Sequence, residues 1–259
     1  GISLTSVNLS ALNPNLSISK ELFLKSIPIS LASGVSQINL VVGRQISSLF
    51  DGAMVWLIYA DRLAQLPIAL IGVALNVVTL PKLSSLKKSG RKVEGNSYLN
   101  RSMQLSLIFA LPASVGLIYL NFEIISSLFQ RGNFLVNDAI QTSKALSIYS
   151  LSIIPISLQM LLLNFYFAEK NIRIPFYYSL ASVFLNVSLA YTLLDKLEFL
   201  APPIAYAITN WLVFISLVYH TYKFGFYFNS AFKRGLPRIV LSSCFCLLYT
   251  SPSPRDLAV

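Results

Sequence analysis

The stretch Tyr59 to Pro67, YADRLAQLP, limits this chain more than any other, because it lies inside an apolar run from about Ala53 to Leu80. An ionised side chain in hydrocarbon costs roughly 2.5 to 3.5 kcal/mol on insertion scales, so Asp61 and Arg62 each need a partner or water. At ~1.5 Å per residue from Ala53 they sit roughly 12 to 14 Å inside a core ~30 Å thick, where snorkelling is difficult. Pro67 has no amide hydrogen, so the carbonyl of Leu63 loses its helical partner and the helix is expected to kink or loosen. A charged pair beside a broken hydrogen-bond ladder implies a water-filled cavity. The plainer alternative is a structural ion pair, but neighbours i and i+1 point about 100° apart and face each other poorly, so each is expected to find its partner elsewhere.

Of the 259 residues 55% are apolar and 12% charged, against ~25% charged in soluble domains, and the mean hydropathy is +0.66. Several runs exceed 18 residues with few or no charges, which excludes a soluble fold and gives an all-α polytopic membrane protein. The net charge of +10 does not point to nucleic acid, because the basic residues lie between apolar runs, as cytoplasmic loops require, and not on one polar element. Cys244 and Cys246 have no histidine or further cysteine nearby, so neither a metal site nor a disulfide framework is expected, and no cofactor is implied.

Along the chain, residues 1–19 read as a loop or linker, followed by a short amphipathic lead-in from Lys20. Residues 20–222 read as six transmembrane spans. The first, about Ile29 to Phe50, carries Ser33, Gly34 and Ser36, small residues suited to close packing. Asp51-Gly52 signals a tight turn. The second span folds back about it, placing Arg44 near residue 58 and making an Arg44 to Asp61 contact an expectation. Pro81 is expected to end the second span, and a basic cytoplasmic segment (Lys82, Lys87, Lys88, Arg91, Lys92, Arg101) follows. The third span, Met103 to Leu120, is expected to kink at Pro112. Residues 122–138 read as an interfacial helix and turn containing LFQRGNF. A fourth span, Ala139 to Ala168, is long enough to need the kink that Pro155 supplies. The fifth covers Phe176 to Leu194, and the sixth starts at Pro202-Pro203 and reaches Tyr222. Residues 223–238 read as a basic cytoplasmic loop and 239–245 as the start of a further span, cut short. His220 reads as an interfacial structural residue.

Fourteen of the 20 basic residues fall on one side of this arrangement, so the lead-in is cytoplasmic and the Asp51 turn lies on the opposite face. The chain begins with Gly1, shows no signal peptide, and reads as an internal piece of a longer protein. Residues 246–259, beginning CLLYTSPSPRD, match the translation of a sequencing-library adapter and are expected to be foreign to the fold.

GVSQINL (Gly34 to Leu40), YADRLAQLP, IGVALNVVTLPKLS (Ile71 to Ser84), LFQRGNF and FYFAEKNIRIP (Phe165 to Pro175) occur in an order and spacing that resembles the MurJ (MviN) lipid II flippases of the multidrug/oligosaccharidyl-lipid/polysaccharide exporter superfamily. The resemblance covers nearly all of residues 20–245. It implies a transporter of two six-helix lobes plus two further helices around a cationic cavity, with this chain as the second lobe and the first lobe as its missing partner. It further implies that Arg62 matches the family's cavity arginine and Asp61 the acid before it. Two departures stand out: Gln65 where many relatives have Glu, and Arg44 where some have a small polar residue.

The function so implied is movement of a lipid-linked disaccharide pyrophosphate (lipid II) across the bacterial cytoplasmic membrane by alternating access, with membrane lipids as surroundings and no bond made or broken. Arginine suits it, because its planar fork binds phosphate oxygens bidentately. The substrate-binding candidates are Arg62, Asp61, Arg44 and Gln65; the hinge candidates are Pro67, Pro112 and Pro155. The alternatives are a polysaccharide or multidrug exporter of the same superfamily, or an incomplete fragment that does not transport.

Overall fold

The computed structural model describes residues 41–250, with side chains to 243. The linker, the lead-in, Ser33, Gly34, Ser36 and the tail beyond 250 lie outside the described residues. Residues 41–47 (α1) are the described end of a helix, and the chain then turns at 48–52. Gly52 has φ +79°, which a side chain rarely adopts, and a Cβ there would lie 2.8 Å from the Trp56 ring.

Ala53–Pro67 (α2), a wider π-helical segment Ile68–Val73, and Ala74–Lys88 (α3) form one continuous helix of 36 residues. The π segment begins directly after Pro67, where the sequence predicts a loosened ladder, and its Gly72 packs tightly on Ser157 and Met160. Pro81, expected to end the span, instead lies within α3. At ~1.5 Å per residue the whole helix is about 54 Å long, well over the ~30 Å of hydrocarbon, so its basic end projects beyond the membrane as helix where a loop is predicted. A turn at Gly90 (φ +74°) then leads into Lys92–Tyr119 (α4), which runs unbroken through Pro112.

Asn121–Phe129 (α5) is the expected short helix before the LFQRGNF turn. The predicted fourth span is divided into Val136–Ser150 (α6) and Ile153–Ala168 (α7). Pro155 cannot donate to the carbonyl of Leu151, and the division falls at Leu151-Ser152. The freed carbonyl accepts a hydrogen bond from the indole Nε1 of Trp211 at 3.1 Å.

Arg173–Leu197 (α8) and Ala201–Lys223 (α9) form an antiparallel pair reversed at Glu198 (φ 49°), so this 51-residue apolar stretch crosses twice. Tyr178 on α8 donates to the carbonyl of Ser216 on α9 at 3.1 Å across that pair. Ser230–Thr250 (α10) takes up much of the stretch expected as a basic loop, leaving 224–229 as the connection. Asn96 and Asn100, one turn apart on α4, hold that connection by donating to the carbonyl of Tyr227, each at 2.9 Å. Among the described residues the fold is all helix.

Two cores build the bundle. One joins α3, α4, α7 and α9 through Leu83, Leu99, Met103, Leu161, Tyr166 and Leu217. The other seats Ala53, Leu57, Ala60 and Ala64, spaced along one face of α2, against Ala139, Ala145 and Leu146 of α6. Small residues let these backbones approach closely, which gives a membrane interface much of its packing energy. Large apolar side chains such as Leu70, Val77 and Val78 are exposed outward, the pattern of a surface solvated by lipid.

Candidate functional site: a cavity beside the charged pair

Because Ala53, Ala60 and Ala64 take the buried face of α2, its other polar positions turn toward a cavity of about 250 Å³. Arg44 and Ser47 of α1 and Asp61, Arg62 and Gln65 of α2 line it, so the four substrate-binding candidates meet in one space. Asp61 and Arg62 both reach the cavity although they are neighbours, since each occupies one side of the stripe centred on it.

The expected Arg44 to Asp61 contact does not take the form of an ion pair; both line the cavity, but the Asp61 carboxylate accepts a hydrogen bond from Nε2 of Gln65 one turn along. An amide at 65 can donate where a glutamate carboxylate could not, which gives the departure at this position a physical consequence. Arg44 and Arg62 are exposed, and among the described residues neither guanidinium makes an ion pair with a carboxylate.

The rest of the polar lining comes from residues that the sequence reading did not single out: Tyr149 on α6, Asn186 on α8 and Tyr206 on α9. Tyr149 stands two residues before the break that Pro155 causes. A tyrosine two residues before a helix break was the available signal. Of the hinge candidates, Pro67 and Pro155 adjoin the π segment and the α6/α7 break, while Pro112 lies in unbroken helix.

The site is tied to the end of the bundle that carries the LFQRGNF turn. Trp56 on α2 donates from Nε1 to Asp138 at 2.8 Å, and the other oxygen of Asp138 accepts from the backbone N–H of Leu135 at 2.8 Å. Tyr59 stacks on Phe129 with ring centroids 4.5 Å apart, and Phe134 flanks both. The LFQRGNF turn is therefore docked on the helix that bears Asp61 and Arg62. At the other end His220 shares a hydrogen bond with the hydroxyl of Tyr166 at 2.7 Å, in keeping with a structural role.

The family model described as "Lipid II flippase MurJ" matches residues 11–251. The chain is 35% identical over 206 residues to a probable lipid II flippase MurJ of Rhizobium tropici, covering 80% of this chain and 39% of that protein. It is 33% identical over 212 residues to the corresponding protein of Rhizobium meliloti (strain 1021), covering 80% and 39%. Among solved structures it is similar to a lipid II flippase MurJ in an inward closed conformation, with a TM-score of 0.78 and 27% identity, covering 89% of this chain and 48% of that one. The chain thus spans about two fifths of the length of these curated relatives. On the family match, the relatives and the shared fold together, it belongs to the lipid II flippase MurJ family.

Proposed function

We propose that this chain is the second lobe of a transporter that moves a lipid-linked disaccharide pyrophosphate across the bacterial cytoplasmic membrane by alternating access. The observation that carries the reading is the cavity in which Arg62 and Arg44 stand exposed while Asp61 is engaged by Gln65. A pyrophosphate entering a site of low dielectric needs cations that are not already neutralised, and two guanidinium groups supply bidentate donors for its oxygens. Asp61, held by Gln65 one turn along α2, orients the cationic side without forming an ion pair with it. The volume is below the ~300 to 1,000 Å³ of sites that enclose a whole ligand, so this lobe holds part of the head group and a first lobe encloses the rest. The work is binding and conformational exchange, with no covalent step.

A drug exporter needs an anionic cavity for organic cations, and the two arginines argue against that reading. Reconstitution of the intact transporter in vesicles tests the choice. A fluorescent lipid-linked disaccharide pyrophosphate is expected to become accessible on the far leaflet. Transport of ethidium with no movement of the lipid would overturn the proposal. The described chain alone is expected to insert with its basic ends cytoplasmic and to flip nothing until the first lobe is supplied.

A further inference from the structure

We infer that Tyr149, Tyr206 and Asn186 form a sugar subsite in the same cavity, recognising a pyranose ring attached to the phosphate that Arg62 and Arg44 bind. This rests on the proposed function and assigns the second half of the head group to a wall that the charge pattern leaves unexplained.

The cavity has two chemically different walls. From α1 and α2 come Arg44, Arg62, Asp61 and Gln65; from α6, α8 and α9 come two phenols and an amide with no formal charge. A second phosphate would find hydrogen-bond donors on the uncharged wall but no cation to offset its charge. An organic cation would be attracted by the aromatic rings, but it would share the cavity with two guanidinium groups. A pyranose fits both demands: its C–H face packs on an aromatic face, and its hydroxyl edges need groups that both donate and accept, as phenols and amides do.

The uncharged wall is also held in place before any ligand arrives. Tyr149 and Tyr206 meet edge to face, with centroids 5.9 Å apart and planes at 70°, and both line the cavity. Trp211, five residues beyond Tyr206, holds the carbonyl of Leu151 two residues beyond Tyr149, so α9 and the α6/α7 break keep a fixed relation. Gln159 of α7 donates to the carbonyl of Asn210 at 2.7 Å, and Asn210 donates to the carbonyl of Tyr206 at 2.8 Å. Rigid support of this kind is what a binding wall needs to retain affinity after ordering costs.

The test compares two lipids on the intact transporter in nanodiscs: a lipid-linked disaccharide pyrophosphate and the same polyprenyl pyrophosphate without sugar. Tyr206→Leu is expected to weaken the glycosylated lipid about tenfold, or about 1.4 kcal/mol, and to leave the sugar-free lipid unchanged. Tyr206→Phe, which keeps the ring, is expected to retain most of the affinity, and Arg62→Ala to weaken both lipids. Retained binding of the sugar-free lipid shows that the Leu variant is folded. An equal loss for both lipids, or no loss for either, overturns the subsite while leaving the pyrophosphate reading in place. If neither lipid binds the unaltered transporter, the proposed function itself fails and takes the subsite with it.

Discussion

Lys87 and Arg62 are both cations on the same continuous helix, 25 residues apart, and their surroundings are opposites. Lys87 is 14% exposed and saturated: its ammonium donates to Glu169 at 2.7 Å and to the carbonyl of Phe165 at 2.9 Å, and stands 3.5 Å above the Phe165 ring. Phe165 lies in the last turn of α7, where helix carbonyls lack internal partners and favour positive charge. Arg62 is exposed toward a cavity, and its carboxylate neighbour is engaged by Gln65. One cation fastens α3 to α7; the other has no ion-pair partner among the described residues. A charged residue in a membrane protein is thus read by what already surrounds it, more than by its depth.

The strongest way to break this contrast is Arg62→Ala in the intact transporter. Because Arg62 has no ion-pair partner to strand among the described residues, the protein is expected to insert and accumulate normally while flipping falls at least about 100-fold, some 2.7 kcal/mol of barrier. Normal complementation of a depletion strain by the Ala variant would remove Arg62 from the site. Arg62→Lys keeps the charge and loses the planar fork, so a drop of about tenfold in reconstituted flipping is expected, about 1.4 kcal/mol. Full activity would mean that charge alone is read.

Gln65→Leu tests the contrast from the other side. Without the amide, the Asp61 carboxylate is free to turn to the guanidinium groups of the same cavity and to pair one of them as Lys87 is paired. Flipping is expected to fall by about three- to fivefold, roughly 0.7 to 1 kcal/mol, and Asp61→Asn added to Gln65→Leu is expected to restore part of it. A double variant worse than Gln65→Leu alone would show that Asp61 acts on the substrate directly.

Much of this was legible in the sequence because the membrane leaves few options. Charges in an apolar run had to share a cavity, Gly52 had to turn, and apolar runs had to be helices. The prolines show where sequence alone stops. Pro67, Pro81, Pro112 and Pro155 each remove one helical hydrogen bond, yet only Pro67 and Pro155 accompany an altered backbone. At Pro155 the difference depends on Trp211, 56 residues away, taking the freed carbonyl of Leu151. The Arg44 to Asp61 pairing failed for a similar reason: folding two helices about a turn sets their proximity, but a competing amide one turn from Asp61 decides the bond. Tyr149, Asn186 and Tyr206 carried no charge to betray them and become a wall only when α6, α8 and α9 converge.

The smallest effect is expected at Lys87, and it sharpens the contrast by being purely structural. Lys87→Met keeps a straight chain of similar volume over the Phe165 ring and removes the ammonium. The pair is partly exposed, with Glu169 44% exposed, so water screens the charge and can hydrate the carboxylate that remains. The loss is therefore expected at about 1 kcal/mol or less in a thermal unfolding series. Glu169→Gln should cost a similar amount, and the double variant less than the sum of the two, since the second change removes an interaction already lost. Flipping by Lys87→Met is expected to stay within about twofold of the unaltered transporter, a difference of ~0.4 kcal/mol. A loss of transport comparable to that of Arg62→Ala, in a protein that still folds, would show that the α3 to α7 fastening moves during the cycle and that Lys87 is not merely a strut.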